Sequence, residues 1–230
     1  MSQLALPLKL DDHAVFESFL PAGNETLVAF LIGTVNASSG PGGWFWGAGS
    51  TGKTHLLQAV CERVGSHAQY VPLQDLITAD SAILDGLQSR QFVCLDDVDT
   101  VAGEELWELA LFSLSNALAD AGGVMICAAS AASRKCGFEL ADLRSRFTKL
   151  PAFHLRALAE SERIEALRLR ARHRGLELPD DTANYLLTRS KRDMSSLYAT
   201  LDRLDTEALK AKRRLTIPFV REVLGLSPAS

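Results

Sequence analysis

Gly47-Ala-Gly-Ser-Thr-Gly-Lys53-Thr54 decides how the rest of the chain is read. It fits the pattern G-x-x-x-x-G-K-[ST] and stands between two segments that give the pattern mechanical meaning. Trp44-Phe45-Trp46 before it has strand character, and Thr54-His-Leu-Leu-Gln-Ala-Val-Cys-Glu-Arg-Val64 after it reads as a helix. In that setting glycines let the backbone curl until its N–H groups point at phosphate oxygens, and the helix N-terminus adds partial positive charge. Lys53 supplies a point charge for the outer phosphates, and the Thr54 hydroxyl can ligate Mg2+. A flexible Gly/Ser linker would not be bracketed by an apolar strand and an amphipathic helix. The run Gly47, Ala48, Gly49, Ser50, Thr51, Gly52, Lys53, Thr54 and His55 is therefore assigned to nucleotide contact.

A second half of such a site is expected at Phe92-Val-Cys-Leu-Asp96-Asp97, an apolar run ending in two acids. Ligands of a parallel sheet meet the carboxyl ends of its strands. Asp96 is placed with Thr54 in the Mg2+ shell, and Asp97 is placed toward the γ-phosphate, where it can orient or deprotonate water. Ser130, after Ala128-Ala129, is a candidate for completing that water's position, although serine at a strand end often only caps a turn. Asp142-Leu-Arg144-Ser-Arg146-Phe147 carries two arginines two positions apart. That spacing puts them on different faces of a helix, so they do not serve one ligand. One of them can face outward as an arginine finger; an ordinary surface ion pair is the plainer alternative.

Working outward, five strands are expected at 44–46, 69–73, 92–96, 124–129 and 149–155, with helices between them. Such alternation implies an α/β fold with a parallel sheet covered on both faces. Leu27-Val-Ala-Phe-Leu-Ile32 reads as one buried helix, and Trp107, Leu111, Leu114 and Leu118 form the packing stripe of another over 104–121. Beyond Leu155 strand character ends. Helices are expected at 160–174, 180–190, 193–212 and 218–224, with Gly175 ending the first and Thr216 and Pro218 opening the last. The expected division is 1–12 as a flexible N-terminus, 13–158 as a nucleotide-binding α/β part and 159–230 as a small all-helical lid.

Composition narrows the function classes. The 230 residues are 47% apolar and carry a net charge of −4, which argues against a broad DNA-binding surface. Residues 1–158 hold 10 Lys+Arg against 17 Asp+Glu, whereas 159–230 hold 14 against 11. A mildly basic C-terminal part on an acidic body suits a protein partner or a local nucleotide contact. Arg163, Arg168, Arg170, Arg172 and Arg174 spread around one helix whose buried stripe is Ile164, Leu167 and Ala171, and are read as a solvated face. Cys61, Cys94, Cys127 and Cys136 form no C-x-x-C pair and read as thiols in a reducing compartment. The five histidines show no metal-ligand spacing. No signal peptide or membrane span is legible, so a cytoplasmic protein is expected.

Taken together, the phosphate loop, the acidic strand end and Leu143-Arg-Ser-Arg146-Phe147 resemble the DnaA-like ATPases of the AAA+ superfamily and, within them, the Hda-type regulatory inactivators. The resemblance covers essentially the whole chain. It implies an AAA+ P-loop NTPase with a five-stranded parallel sheet and a C-terminal helical lid, binding ADP or ATP with Mg2+. Phe16-Glu-Ser-Phe19 with Gly23-Asn24 looks like the family's segment that packs over adenine, with Phe16 as the contact. Leu143–Phe147 looks like its box VII, where the arginine before the phenylalanine is the finger, hence Arg146. Leu215–Leu224 looks like the last lid helix. The family's lid arginine, sensor 2, falls at Ser195 here, and Arg192 is the candidate substitute. No helix-turn-helix domain follows the lid in this sequence, which fits the inactivators better than the initiators.

Gln3-Leu4-Ala5-Leu6-Pro7-Leu8 resembles the peptide by which Hda-type proteins dock on the DNA polymerase III β sliding clamp. Pro7 stiffens an extended segment, Leu4, Leu6 and Leu8 offer apolar contacts, and Gln3 offers a directional hydrogen bond. The resemblance thus implies a negative regulator of replication initiation: an ATPase-type nucleotide-binding protein that docks on the clamp and stimulates hydrolysis by DnaA through Arg146. Its partners are DnaA and the clamp, with DNA reached only through the clamp and no membrane; a homo-oligomer is left open. Two alternatives are a helicase loader or truncated initiator acting on DNA, and a metabolic kinase, which a four-helix lid does not suit.

Overall fold

The computed structural model describes residues 14–189 and 193–225, which divide into two compact units. The first comprises 14–16 and 23–157, and the second 17–22, 158–189 and 193–225.

In the first unit the sheet contains β1 (Gly43–Trp46), β2 (Ala68–Pro72), β3 (Phe92–Asp96), β4 (Val124–Ala129) and β5 (Ala152–His154). Their order is β2-β3-β4-β1-β5, and every pairing is parallel. The register sets Phe45 beside Ala128 and Phe153, and Tyr70 beside Cys94. All residues of β3 and β4 are buried, the pattern of strands covered on both faces. Helices α1 (Glu25–Ala37), α2 (Lys53–Val64), α3 (Leu73–Leu76), α4 (Glu105–Asp120) and α5 (Ala141–Lys149) connect them. The stripe Trp107, Leu111, Leu114 and Leu118 of α4 lies in the core, as its spacing requires.

The fifth strand is shorter than the sequence pattern suggests. Lys149 is the last residue of α5, and Pro151 has no N–H to donate, so pairing with β1 begins through the Pro151 carbonyl, which accepts from Trp44 N at 2.9 Å.

Beneath α5, three rings from distant parts of the sequence meet. Trp44 lies 5.2 Å from Phe147 and 6.3 Å from Phe138, and Phe138 and Phe147 are 5.2 Å apart. Edge-to-face and tilted pairs of this kind are worth roughly 0.5–1.5 kcal/mol each beyond their burial. They fix α5 against the strand that leads into the phosphate loop. The buried Glu108 carboxylate adds a polar staple, accepting from the backbone N–H groups of Gly103 at 2.7 Å, Glu139 at 3.0 Å and Leu140 at 2.6 Å. It thereby ties the start of α4 to the turn that launches α5.

The second unit contains α6 (Glu160–His173), α7 (Asp180–Arg189), α8 (Met194–Ala211) and α9 (Ile217–Leu224). Leu167, Leu186, Leu197, Leu201, Leu204 and Phe219 form its core, with Leu20 packed against it. Gly175 follows α6 with φ of 72°, and Pro218 stands in the first turn of α9. Thr216 occupies the N-cap position without a side-chain cap bond.

One expectation for α6 is corrected. Arg170 is not on a solvated face: it is 3% exposed, its guanidinium stacks 4.5 Å over the Tyr198 ring, and it meets Asp202 at 3.5 Å. Arg174 joins it, at 2.9 Å from Asp202 and 3.4 Å from Asp205. Arginine's planar group can be buried where an aromatic face and carboxylates replace water. Those partners sit on α8, so helical periodicity within α6 carries no sign of them.

Candidate functional site

The phosphate loop leaves β1 at Gly47 and enters α2 at Lys53. Gly52 has φ of +99°, a conformation open to glycine but strained for other residues. A Cβ on Gly47 would meet the Leu155 carbonyl oxygen at 2.5 Å, so the loop's first residue must also be glycine. At Gly49 a Cβ would meet nothing within 4 Å. The loop is thus packed at its entrance and open over its middle, a cradle rather than a filled turn.

Thr51 Oγ1 donates to the Ala48 carbonyl at 3.0 Å and closes the curl. Lys53 Nζ donates to the carbonyls of Gly47 at 3.1 Å and Ala48 at 3.2 Å. The ammonium is therefore held over the loop, where a polyphosphate could replace its two neutral acceptors with charged ones.

Thr54 Oγ1 donates to Asp96 Oδ2 at 2.7 Å, joining two residues 42 positions apart. Asp96 is 1% exposed, and its other oxygen accepts from Asp97 N at 3.1 Å. A hydroxyl and a carboxylate side by side are hard oxygen donors, and Mg2+ sites commonly add phosphate and water oxygens to one or two such ligands. Among the described residues no group of three or more His, Cys, Asp or Glu side chains could hold a metal alone. The donor set fits a cation that arrives with nucleotide.

The Tyr70 hydroxyl also donates to Asp96 Oδ2, at 2.9 Å, a partnership not anticipated from sequence. Burial pushes the Tyr70 phenol well above its ordinary range, and the neighbouring Asp96 charge adds to this. Tyr70 is therefore a donor toward Asp96 at any working pH. An aromatic residue within a strand-like run gives no local hint of that contact. Only the β2–β3 register brings the two together.

Asp97 sits just past the strand with φ of 51°, the left-handed region that Asp and Asn tolerate better than most residues. Its carboxyl is raised above the usual range, first by burial and then by the Asp96 charge, with Lys53 opposing the shift. Ser130 is engaged: its backbone N–H donates to Asp99 Oδ1 at 3.0 Å, and its hydroxyl donates to Asp99 Oδ2. Asp99 is thus a second partner that the sequence reading did not single out.

The flanking residues are placed as follows. His55 Nε2 is 2.9 Å from the Val15 carbonyl, tying the segment before the first helix to α2. Phe16 is buried, with the Arg63 guanidinium 5.8 Å from its ring centre. Asn24 makes a reciprocal pair with Arg156: its Nδ2 donates to the Arg156 carbonyl at 3.2 Å, and its Oδ1 accepts from Arg156 N at 2.8 Å.

On α5, Arg146 is half-buried and donates through Nη2 to Asn116 Oδ1 on α4. Arg144 is exposed and donates to the Phe138 carbonyl at 3.2 Å. The two arginines do take different faces. In the second unit Ser195 is exposed in the first turn of α8. Arg192 and the N-terminal residues Gln3, Leu4, Leu6, Pro7 and Leu8 lie outside the described residues.

Residues 160–224 match the family model described as the Hda lid domain. The chain is similar to domain III of the Thermotoga maritima replication initiation protein DnaA, with a TM-score of 0.76 at 20% identity, covering 94% of this chain and 98% of that one. It is thus similar to Hda in its lid and to DnaA domain III in its fold. AMPPCP-bound DnaA from Aquifex aeolicus matches with a TM-score of 0.69 at 22% identity, over 87% of this chain and 68% of the other. The Thermotoga maritima RuvB branch migration motor matches with a TM-score of 0.61 at 16% identity, over 89% and 70%. These likenesses show the fold, a five-stranded parallel sheet followed by helices, and the lid match covers the helices within residues 160–224. Among the described residues no helix is long and apolar enough to cross a membrane.

Proposed function

We propose that this chain is a nucleotide-loaded regulator of the initiator DnaA, a negative regulator of replication initiation. The observation that carries the reading is the Thr54–Asp96 contact at 2.7 Å at the mouth of the glycine cradle, alongside a lid of Hda type. Gly47 to Thr54 would wrap the phosphates of ADP or ATP, with Lys53 turning from its loop carbonyls to phosphate oxygens. Thr54 and Asp96 would hold Mg2+, whose charge neutralises the phosphates when bound. Asp97 and Ser130 would position water at the outermost phosphate, and Phe16 and His55 would close the nucleotide's flank. Arg192 would take the place that Ser195 leaves open.

Arg146 would act outside its own site. A guanidinium delivered to another subunit's triphosphate is worth about 10³–10⁵ in rate, and the partner here would be ATP-loaded DnaA. Gln3 to Leu8 would dock on the β sliding clamp, which raises effective concentration on replicated DNA without enlarging the DnaA contact.

The test is turnover of DnaA-bound ATP in the presence of clamp-loaded DNA. Arg146→Ala should lower the stimulated rate by about 10³-fold. Stimulation equal to that of the unaltered chain would reject the finger. Deleting residues 2–8 should remove the dependence on clamp while nucleotide still binds.

A further inference from the structure

We infer that the outward face of α5, together with Arg134, forms a cleft that binds the phosphodiester backbone of a nucleic acid strand. Leu143 and Phe147, four apart, turn inward and are buried. Ala141, Arg144, Ser145, Thr148 and Lys149 recur at the i, i+3, i+4, i+7, i+8 spacing of a single helix face. With Arg134, from the turn after β4, they line a cleft of about 520 Å3. Its walls thus offer three cations, two hydroxyls and two methyl groups, and no carboxylate lines it.

The charge distribution points the same way. The first 158 residues are acidic, yet six of their ten Lys+Arg residues fall between 134 and 156, alongside only Glu139 and Asp142. A polyanion is repelled by most of such a body and attracted at this end. The Arg144 guanidinium is already oriented by its bond to the Phe138 carbonyl, so less freedom is lost when it takes a phosphate. Arg146 does not line the cleft, because its guanidinium is drawn aside by Asn116.

The lining also selects the occupant. It holds no aromatic ring for stacking a base and no large apolar side chain, so it lacks the anchors by which a peptide segment is held. Hydroxyls and cations without base-edge contacts bind phosphate and position a strand without reading its sequence. That gives Arg144 a role separate from the one proposed for Arg146.

The experiment is fluorescence anisotropy of the full chain with a labelled, mixed-sequence single strand across a series of KCl concentrations. Three phosphate contacts on a single strand predict a slope of log affinity against log salt of about −2. Arg134→Ala, Arg144→Ala and Lys149→Ala should each make it shallower by about 0.7. The triple variant should lose strand binding while keeping its ADP affinity, which reports an intact fold. Tripolyphosphate at equal phosphate concentration should displace the strand poorly, and poly-glutamate should not displace it. An unchanged slope in the triple variant would overturn the inference. So would full displacement by tripolyphosphate, which would mark a free-phosphate site, or by poly-glutamate, which would mark an acidic protein partner.

Discussion

The phosphate loop and α5 are both built on Trp44 and its strand, yet they hold their chemistry in opposite ways. In the loop the functional groups are consecutive, and several of their bonds stay local: Lys53 to Gly47 and Ala48, and Thr51 to Ala48. On α5 the side chains are aimed by residues far away in sequence. Phe147 is held by Trp44 and Phe138, Arg146 by Asn116, and the helix start by Glu108. A site whose geometry is local should survive damage elsewhere in the core. A site aimed by distant packing should not.

Phe147→Ala tests that difference with the largest expected effect. Removing a fully buried ring that touches two others should cost about 3–5 kcal/mol of stability, read from urea unfolding. Nucleotide affinity of the fraction that remains folded should change by less than about twofold, whereas strand binding in the α5 cleft should weaken. Equal loss at both places would mean that the loop depends on α5 packing as much as the cleft does.

Lys53→Ala reverses the arrangement. Losing a charge-assisted contact to phosphate should lower nucleotide affinity by about 100-fold, as measured by titration with a fluorescent ADP analogue. The thermal midpoint without nucleotide should hardly move, because the hydrogen bonds of Lys53 among the described residues go to two loop carbonyls. A large drop in that midpoint would show that the lysine holds the loop together, and the contrast between the regions would blur.

The smallest effect is electrostatic. The raised carboxyl of Asp97 means that the folded state keeps a proton the unfolded chain has already released. Its contribution to stability therefore falls as pH rises from the ordinary carboxylate range through the raised value, and is most unfavourable above it. Asp97→Asn keeps a residue that tolerates the left-handed backbone and removes the buried charge. At pH 8, without nucleotide, the midpoint should rise by about 1–3 °C, and the gain should vanish near pH 4. A gain that persists at low pH would assign the effect to packing.

The fold was legible because its signals are short-range. Apolar runs, the loop pattern and the helical stripes each occupy a few consecutive residues, and the five strands emerged near their observed positions. Strand ends were less legible: at the fifth, the pattern ran on through Lys149–Pro151 because apolar character does not mark where ladder pairing starts. The Thr54–Asp96 contact could be anticipated because a parallel sheet delivers both groups to its carboxyl edge.

The amino-acid sequence by itself determined the cradle, the order of strands and helices along the chain, and the separation of Arg144 from Arg146 by half a helical turn. Only the tertiary structure decided which way each arginine faces and what meets it. It alone placed the Tyr70 hydroxyl on Asp96, engaged Ser130 with Asp99 and buried Arg170 against Tyr198. The physical reason is range. Backbone geometry is set by neighbours a few residues apart, but a polar side chain that leaves water must find whichever partner the packing of other elements brings within hydrogen-bonding distance.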